Sequence, residues 1–535
     1  MLDAPQSVQH LSAKELRELT AQLIGQIASH DQQIAEREQT IAAKDREIHY
    51  RQAKIDKLTY EIAQLKRHKF DKRSEHLHAG QVSLLDEAID ADLAAIEAEL
   101  EQLAPGPKTD ADAPKKPKRA ALPADLPRVE HHHELDSTTC TTPGCGCALK
   151  RIGEDVSEKL DYVPGVFTVQ RHIRGKWACA KCQRLSQAPV PAQIIDKGIA
   201  TSGLLAQVLV AKYADHLPLY RQENIFARAG MALPRSTLAQ WVGVCGVRLQ
   251  PLVDALKDDV LSHSVVHADE TPVAMLAPGK KKTHRAYLWA YAAGAFEDLK
   301  AVVYDFCPSR ASEHPLSFLK VGDTGWRGQL VCDDYAAYKV LFTQGVVEVG
   351  CMAHARRKFF ELHVNHKSLI AEAALKFFVL LYEIEREIRS QSADQRRQIR
   401  QQRAKPVADA LHVWLKGNRL QVPDGSATAK TIDYSLKRWI ALTRYLDDGQ
   451  LPIDNNWIEN QIRPIAVGRG NWLFAGSLRA GQRAAAIMSL IQSARLNGHD
   501  PYAYLKDVLL RLPTHPASRI GELLPHRWQP VITSV

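Results

Sequence analysis

No run of some eighteen or more apolar residues occurs anywhere in the 535-residue chain, so no membrane span is expected. The opening stretch, MLDAPQSVQH, lacks the basic-then-apolar pattern of a secretory signal. Cysteine is scarce for this length, nine residues in all, and most of them are clustered rather than spread. Both features argue against a disulfide scaffold and for a reducing cytoplasm with a metal site. Proline is absent from residues 11–66, which removes the commonest interruption to a long helix.

Hydrophobic residues make up 45%, enough for several cores, and at roughly 100–200 residues per domain the length implies about three to five units. The net charge of +9 and a pI near 8.9 suit an anionic partner.

In the proline-free segment Ile27, Ile34, Ile41, Ile48, Ile55 and Ile62 recur every seven residues, a period that keeps one seam toward a partner helix. The complementary seam is polar at His30, Arg37, Lys44 and Arg51 and turns apolar only at Leu58 and Leu65. Residues 1–75 are therefore expected to form a coiled-coil helix, and 76–127 a helix and flexible linker. The string PGPKTDADAPKKPKRAALPADLP has no periodicity and carries the basic run Lys115 to Arg119.

Cys140, Cys145 and Cys147 precede KWACAKC, which holds Cys179 and Cys182. Two such knuckles can present four thiolates to one Zn²⁺ at roughly 2.3 Å each, so residues 128–190 read as a zinc-binding domain. The irregular first knuckle, CTTPGCGC, leaves Cys145 and Cys147 as alternatives. His131 to His133 read as surface. Residues 191–262 are helical in pattern. Two short helices, the first ended by Gly230 and the second capped by Ser236 or Thr237 after Pro234, give a helix-turn-helix-like, DNA-binding region.

From Val265 the texture is that of strands: SVVHADETPV, HRAYLWAYAAG with the turn APGKKK before it, and AVVYDFCPSR. ASEHPLSFLK reads as a helix, and GQLVCDDYAAYK and VVEVGCMAHARRKFF as strand-to-helix units. This order predicts a mixed sheet with helices packed on it, an α+β architecture within a multidomain chain. The boundaries are 263–359 for the first part, a helical insertion over 360–450, the second part over 451–495 and a C-terminal tail over 496–535.

Asp269 ends the first of these strands, Asp333 and Asp334 end the fourth, and Glu459 lies in the polar stretch IDNNWIENQIRP. Ends of strands one and four lie side by side in such a sheet, and a helix beginning near Asn455 can bring Glu459 to them. Three convergent carboxylates need cations between them, and hard oxygen ligands suit Mg²⁺ or Mn²⁺. Two such ions roughly 3.5–4 Å apart perform phosphodiester chemistry. For DNA contacts the candidates are Arg356, Arg357 and Lys358 after the fifth strand, and Arg463, Arg469 and Trp472 after Glu459. His354 either orients a phosphate or is structural. Asn455 and Asn456 either bond to DNA or hold Glu459 and its backbone in place.

The stretches HADETPV, CDDYAAYK, VGCMAHARRKFFEL, DNNWIENQIRPIAVGRGNWLFAGS and NGHDPYAYLKDVL resemble those of transposases of the insertion sequence 66 family, TnpC type. The likeness extends to LKRHKFDKRSEHL, GEDVSEKLDYVPGVFTVQRHIRGKWACAKC and ELLPHRW, and so to nearly the whole chain. It implies a ribonuclease-H-like catalytic domain with an Asp-Asp-Glu triad and a helical insertion before the glutamate. On this resemblance Asp269, Asp333 and Glu459 are the triad, with Asp334 where the family usually has glycine, Asn460 where it has arginine and Gly470 where it has lysine. The implied function is DNA cleavage and strand transfer at insertion-sequence ends. The implied partners are transposon terminal inverted repeats and target DNA, a homo-oligomer and companion transposon-encoded proteins; the implied place is the bacterial cytoplasm and nucleoid. Two rival functions are a catalytically inert, accessory DNA-binding protein of a transposon and a glycosidase built on paired carboxylates.

Overall fold

A computed structural model describes residues 13–70, 79–103, 122–124, 126–163, 165–277, 282–321 and 325–530. The basic run Lys115 to Arg119 and most of the APGKKK turn lie outside them.

The chain divides into two compact units. In the first, made of residues 1–72 and 96–111, helix α1 (Ala13–Phe70) runs unbroken through the isoleucine repeat, as the missing prolines predict. Ile27, Ile34, Ile41 and Ile48 all stand more than half exposed along it, while Leu58 is buried. These isoleucine side chains form a single exposed stripe at heptad spacing along the helix.

The second unit, residues 73–95 and 112–535, holds two sheets. In the first sheet β1 (Arg128–His133) runs parallel to β3 (Val166–Cys179), and β3 pairs antiparallel with β2 (Leu149–Val163) and with β4 (Leu185–Gln187). The β2–β3 ribbon turns at Gly165, whose φ of +93° suits a residue without Cβ.

Helices α3 (Ser202–Tyr213), α4 (Leu219–Arg228) and α5 (Arg235–Leu261) follow; α2 (Ala79–Leu103) precedes the first sheet and contributes residues to both units. Gly230 ends α4 with φ +84°, as expected. The second helix departs from expectation. It begins after an N-cap at Pro234, no side chain caps it, and it is twenty-seven residues long. Buried residues run along it from Leu238 to Val260, Trp241 among them. At Gly243 a Cβ would stand 2.3 Å from the Ala91 carbonyl oxygen, so α2 and α5 touch backbone to backbone. A helix apolar on most of its circumference is a packing element, which makes α5 central to the core.

The second sheet comprises β5 (Val265–Met275), β6 (His284–Ala293), β7 (Val302–Cys307), β8 (Gln329–Cys332) and β9 (Val347–Gly350), with α6 (Glu313–Phe318) and α7 (Ala336–Thr343) in the connections. Its order is β7-β6-β5-β8-β9; the first three are antiparallel neighbours, and β5, β8 and β9 are parallel. Side chains alternate between faces. Val266, Ala268, Leu330 and Cys332 join one cluster with Leu249 and Leu252 of α5, whereas Val265, Val331 and Val349 join another with Phe359 and Phe378.

That second cluster is the core of the predicted insertion. It is formed by α8 (Met352–His366), α9 (Leu369–Ile388), α10 (Ala393–Ile399), α11 (Lys405–Arg419), α12 (Ala427–Lys437) and α13 (Trp439–Thr443), with a π-helical turn at Arg400–Ala404. Arg400 is fully buried there, and each group is matched: Nε and Nη2 donate to Glu385, and Nη1 to the carbonyls of Tyr445, Asp448 and Leu451. One side chain thus ties the insertion to the strand of chain returning to the site. There follow α14 (Asn456–Trp472), α15 (Leu478–Leu496) and α16 (Pro501–Arg511). The outer edge of β7 is closed by α15: Ser489 and Ser493 hydroxyls accept the N–H groups of Tyr304 and Val302, and the Ser493 hydroxyl donates to the Val302 carbonyl.

Candidate functional site

The parallel register of β5 and β8 ends at His267 paired with Val331. Two residues further on each chain stand Asp269 and Asp333, at one level and on the face of Val265 and Val331; Asp333 follows the last residue of β8, but β5 runs on to Met275, so Asp269 lies within its strand and not at the expected end, because pairing with β6 continues past it. Asp269 is mostly buried and its Oδ1 accepts the Glu270 N–H at 2.9 Å. Its pKa is raised well above the usual carboxylate value, first by burial and then by the charges of Glu270, Asp333 and Glu459.

Neighbouring acids are neutralised by protein partners. Glu270 takes Arg310 Nε at 2.7 Å, a further Arg310 nitrogen, and the Tyr338 hydroxyl at 2.7 Å. Asp334 takes Lys339 at 2.7 Å and Arg438 at 3.4 Å. Among the described residues no cation bonds to the Asp333 side chain: Oδ1 accepts the Tyr335 N–H at 2.9 Å, and Arg438 donates to its backbone carbonyl, at 3.2 Å.

Glu459 sits in the first turn of α14 and faces α8. Its Oε2 is 3.5 Å from Arg357, and its Oε1 is 3.7 Å from His354 Nδ1. Glu459 Oε1 and His354 Nδ1 are both buried and lack any hydrogen-bond partner among the described residues. Burial lowers the His354 pKa, against the pull of Glu459 and Asp333.

What places Glu459 is Asn455. This residue is 1% exposed; its Nδ2 donates to the Ala268 carbonyl at 2.9 Å, its Oδ1 meets His267 Nδ1 at 2.7 Å, and its backbone N–H donates to Cys351 Sγ at 3.2 Å. Burial holds the His267 pKa down to about 4, so the ring is neutral. Of the two roles open to Asn455 in the sequence, its amide serves the inward one, binding the start of α14 to the residue before Asp269. Asn456 is exposed and bonds back to Asp454 at 2.8 Å.

The remaining DNA-contact candidates separate by exposure. Arg356, Arg357, Lys358 and Arg463 are exposed. Arg469 is spent on β5, donating to the Pro272 carbonyl at 2.7 Å and to the Thr271 hydroxyl at 3.2 Å. Trp472 is half-buried and lines an apolar cavity of about 110 Å³ with Phe474 and Val273. Sequence reasoning missed Arg438, which ties Glu348 at 2.5 Å to the Asp333 backbone, and Cys351 as acceptor for α14.

Among the described residues, two groups of His, Cys, Asp and Glu bring their donor atoms within 4.8 Å of one another. One is Cys351, His354 and Glu459; Asp269 and Asp333 stand outside it. Among the described residues Glu459 Oε1 has no hydrogen-bond partner, which leaves it free to serve a cation. The other group is Cys140, Cys145, Cys179 and Cys182. Sulfur separations of 3.3 Å for Cys140–Cys182 and 3.5 Å for Cys145–Cys179 fit a tetrahedral Zn²⁺ site. Backbone donors, first that of Cys182, lower the Cys179 pKa as a zinc knuckle does. Cys147 instead turns its sulfur to the Cys145 carbonyl, at 3.4 Å. His131 and His133 flank His172 in a stack, outside the cysteine cluster.

Residues 197–483 match the model of the transposase IS66 family, 489–526 the IS66 C-terminal element, and 137–183 the zinc-finger binding domain of transposase IS66. Residues 57–130 match a model described as transposase C of IS166 homeodomain. Similar relatives come from Sinorhizobium fredii. The uncharacterized protein y4qI is 36% identical over 501 residues, 89% of this chain and 90% of its own; y4jD is 39% identical over 425, 76% and 81%. Among the described residues no helix is long and apolar enough to cross a membrane.

Proposed function

Because the chain belongs to the IS66 family of transposases, with that family's zinc-finger domain and a DNA partner, we propose that it cleaves DNA at insertion-sequence ends and joins the freed ends to target DNA, using Asp269, Asp333 and Glu459. The observation that carries this reading is geometric: Asp269 and Asp333 stand at one level along the parallel neighbours β5 and β8, and Glu459 lies on the first turn of the helix whose start Asn455 fastens to Ala268. The sheet order, three antiparallel strands followed by two parallel ones, supports a ribonuclease-H-like catalytic domain.

A pair of Mg²⁺ or Mn²⁺ ions bound by these acids supplies a lowered pKa for the attacking oxygen and charge stabilisation for the leaving one. The chain's own residues do the rest. Asp269 within β5 and Asp333 just past β8 present donor oxygens from adjacent strands, and Asn455 fixes the third by locking α14 to Ala268. Arg438 holds the Asp333 backbone still. Arg356, Arg357 and Lys358 on α8, with Arg463 on α14, present cations to the phosphates flanking the scissile bond. The cysteine cluster rigidifies an end-binding domain, and the isoleucine stripe of α1 joins copies so that two ends are cut together, in the nucleoid of the cytoplasm.

The test is a nicking assay on end DNA with purified protein and Mg²⁺, Ca²⁺ or EDTA in parallel. Asp269→Ala should retain end binding and lose metal-dependent cleavage. Cleavage at the wild-type rate by that variant would refute the triad; binding without any nicking by the wild type would favour the inert, accessory reading.

A further inference from the structure

We propose that His354 Nδ1 and Glu459 Oε1 together form one of the two divalent-ion positions, so that one ion is held by an imidazole nitrogen as well as by carboxylate oxygen. This rests on the three-acid reading above and adds a ligand to it.

The two atoms are buried, face each other at 3.7 Å and bond to nothing else. That separation is too long for a hydrogen bond. It suits two ligands of one ion, since metal–ligand bonds of roughly 2.0–2.2 Å put neighbouring donors about 3–4 Å apart. Orphaned buried polar atoms are uncommon, and two aimed at one point mark a missing shared partner. The other groups nearby are accounted for. Glu459 Oε2 faces Arg357, which leaves Oε1 for the ion. Cys351 Sγ lies in the same group but already accepts the Asn455 N–H, and sulfur is a soft donor that a hard cation does not select.

The local fold explains the placement. Cys351 is the N-cap of α8 and His354 lies on its first turn, so β9 delivers both to the sheet edge beside α14. A nitrogen donor favours Mn²⁺ over the oxygen-seeking Mg²⁺ and Ca²⁺.

The experiment uses full-length protein and Mn²⁺ alone as the probe. Electron spin-echo spectroscopy of the Mn²⁺-loaded wild type should show directly bound nitrogen, and the pattern should change when histidine is labelled with ¹⁵N. His354→Ala should abolish the nitrogen signal and weaken Mn²⁺ binding at least tenfold, while zinc content and thermal unfolding stay as in the wild type. Nitrogen coupling that persists in His354→Ala comes from another histidine and overturns the proposal. Mn²⁺ bound to the wild type with no nitrogen coupling overturns it too, but leaves the three acids standing. Failure of the wild type to bind Mn²⁺ at all sinks the underlying reading as well. The isotope measurement needs no variant and stands even if His354→Ala misfolds.

Discussion

Replacing Asn455 by alanine tests how the site is held together. The side chain makes two buried hydrogen bonds, to the Ala268 carbonyl at 2.9 Å and to His267 Nδ1 at 2.7 Å. Each contributes about 0.5–1.5 kcal/mol net. The loss also strands His267, which is fully buried and whose Nε2 already lacks a partner, at about 1–3 kcal/mol more. Asn455→Ala should therefore destabilise the sheet domain by about 2–6 kcal/mol, a large part of the roughly 5–15 kcal/mol that holds a domain folded. Asn456→Ala, one residue along, removes only the exposed side-chain bond to Asp454, keeps the backbone one, and should fall within about 1 kcal/mol of the wild type. Urea titration of the two variants and the wild type measures both values, and at subdenaturing urea Asn455→Ala should nick end DNA about a hundredfold more slowly, since a displacement of about 1 Å has that effect. Equal urea midpoints for the two variants would refute the clamp.

The zinc cluster predicts a split between neighbours: Cys145→Ser should lose bound zinc on elemental analysis, whereas Cys147→Ser should keep it, because Cys147 points to a carbonyl. The site acids predict a pH signature in ion-free protein. Asp269 has a folded pKa above its unfolded one, so its contribution is fully present below the ordinary carboxylate range and is lost as pH rises through the raised value. Asp269→Asn should then melt higher than the wild type at neutral pH, and the gap should close as pH falls or as Mg²⁺ is added to the wild type; a gap that does not vary with pH contradicts this. Finally, Ile34→Lys with Ile41→Lys should abolish self-association in sedimentation while leaving zinc content unchanged, since both side chains stand in water along α1.

Much of the architecture was legible because it is written in local pattern. The heptad isoleucines gave α1, the strand strings gave β5 to β9 in order, and the crowded asparagines marked the start of α14 within a residue. The illegible parts are long-range. His267 and Asn455 are 188 residues apart, and neither spacing nor propensity joins them. The length of α5 was missed because Pro234 and Gly230 signal a short motif, while its role is set by packing: Gly243 against Ala91 and Gly246 against Arg483. The choice between Cys145 and Cys147 depends on which way a glycine-rich turn aims two sulfurs, and Gly144 and Gly146, both at positive φ, decide that after the fold is made. A signal for His354 was present, a cysteine and a histidine three apart at a strand-to-helix junction; that spacing puts them on one face.

The serines that close the edge of β7 also constrain biogenesis. Tyr304 waits 185 residues for Ser489. At roughly 5–20 residues per second of synthesis, the nascent strand is uncovered for about ten to forty seconds. Throughout that interval an unpaired ladder emerges from the ribosome, and crowded polysomes give it other copies to pair with. Gene copies cut short ahead of α15 should yield insoluble polypeptide rather than a dominant, DNA-bound fragment, so decay of such an element silences itself.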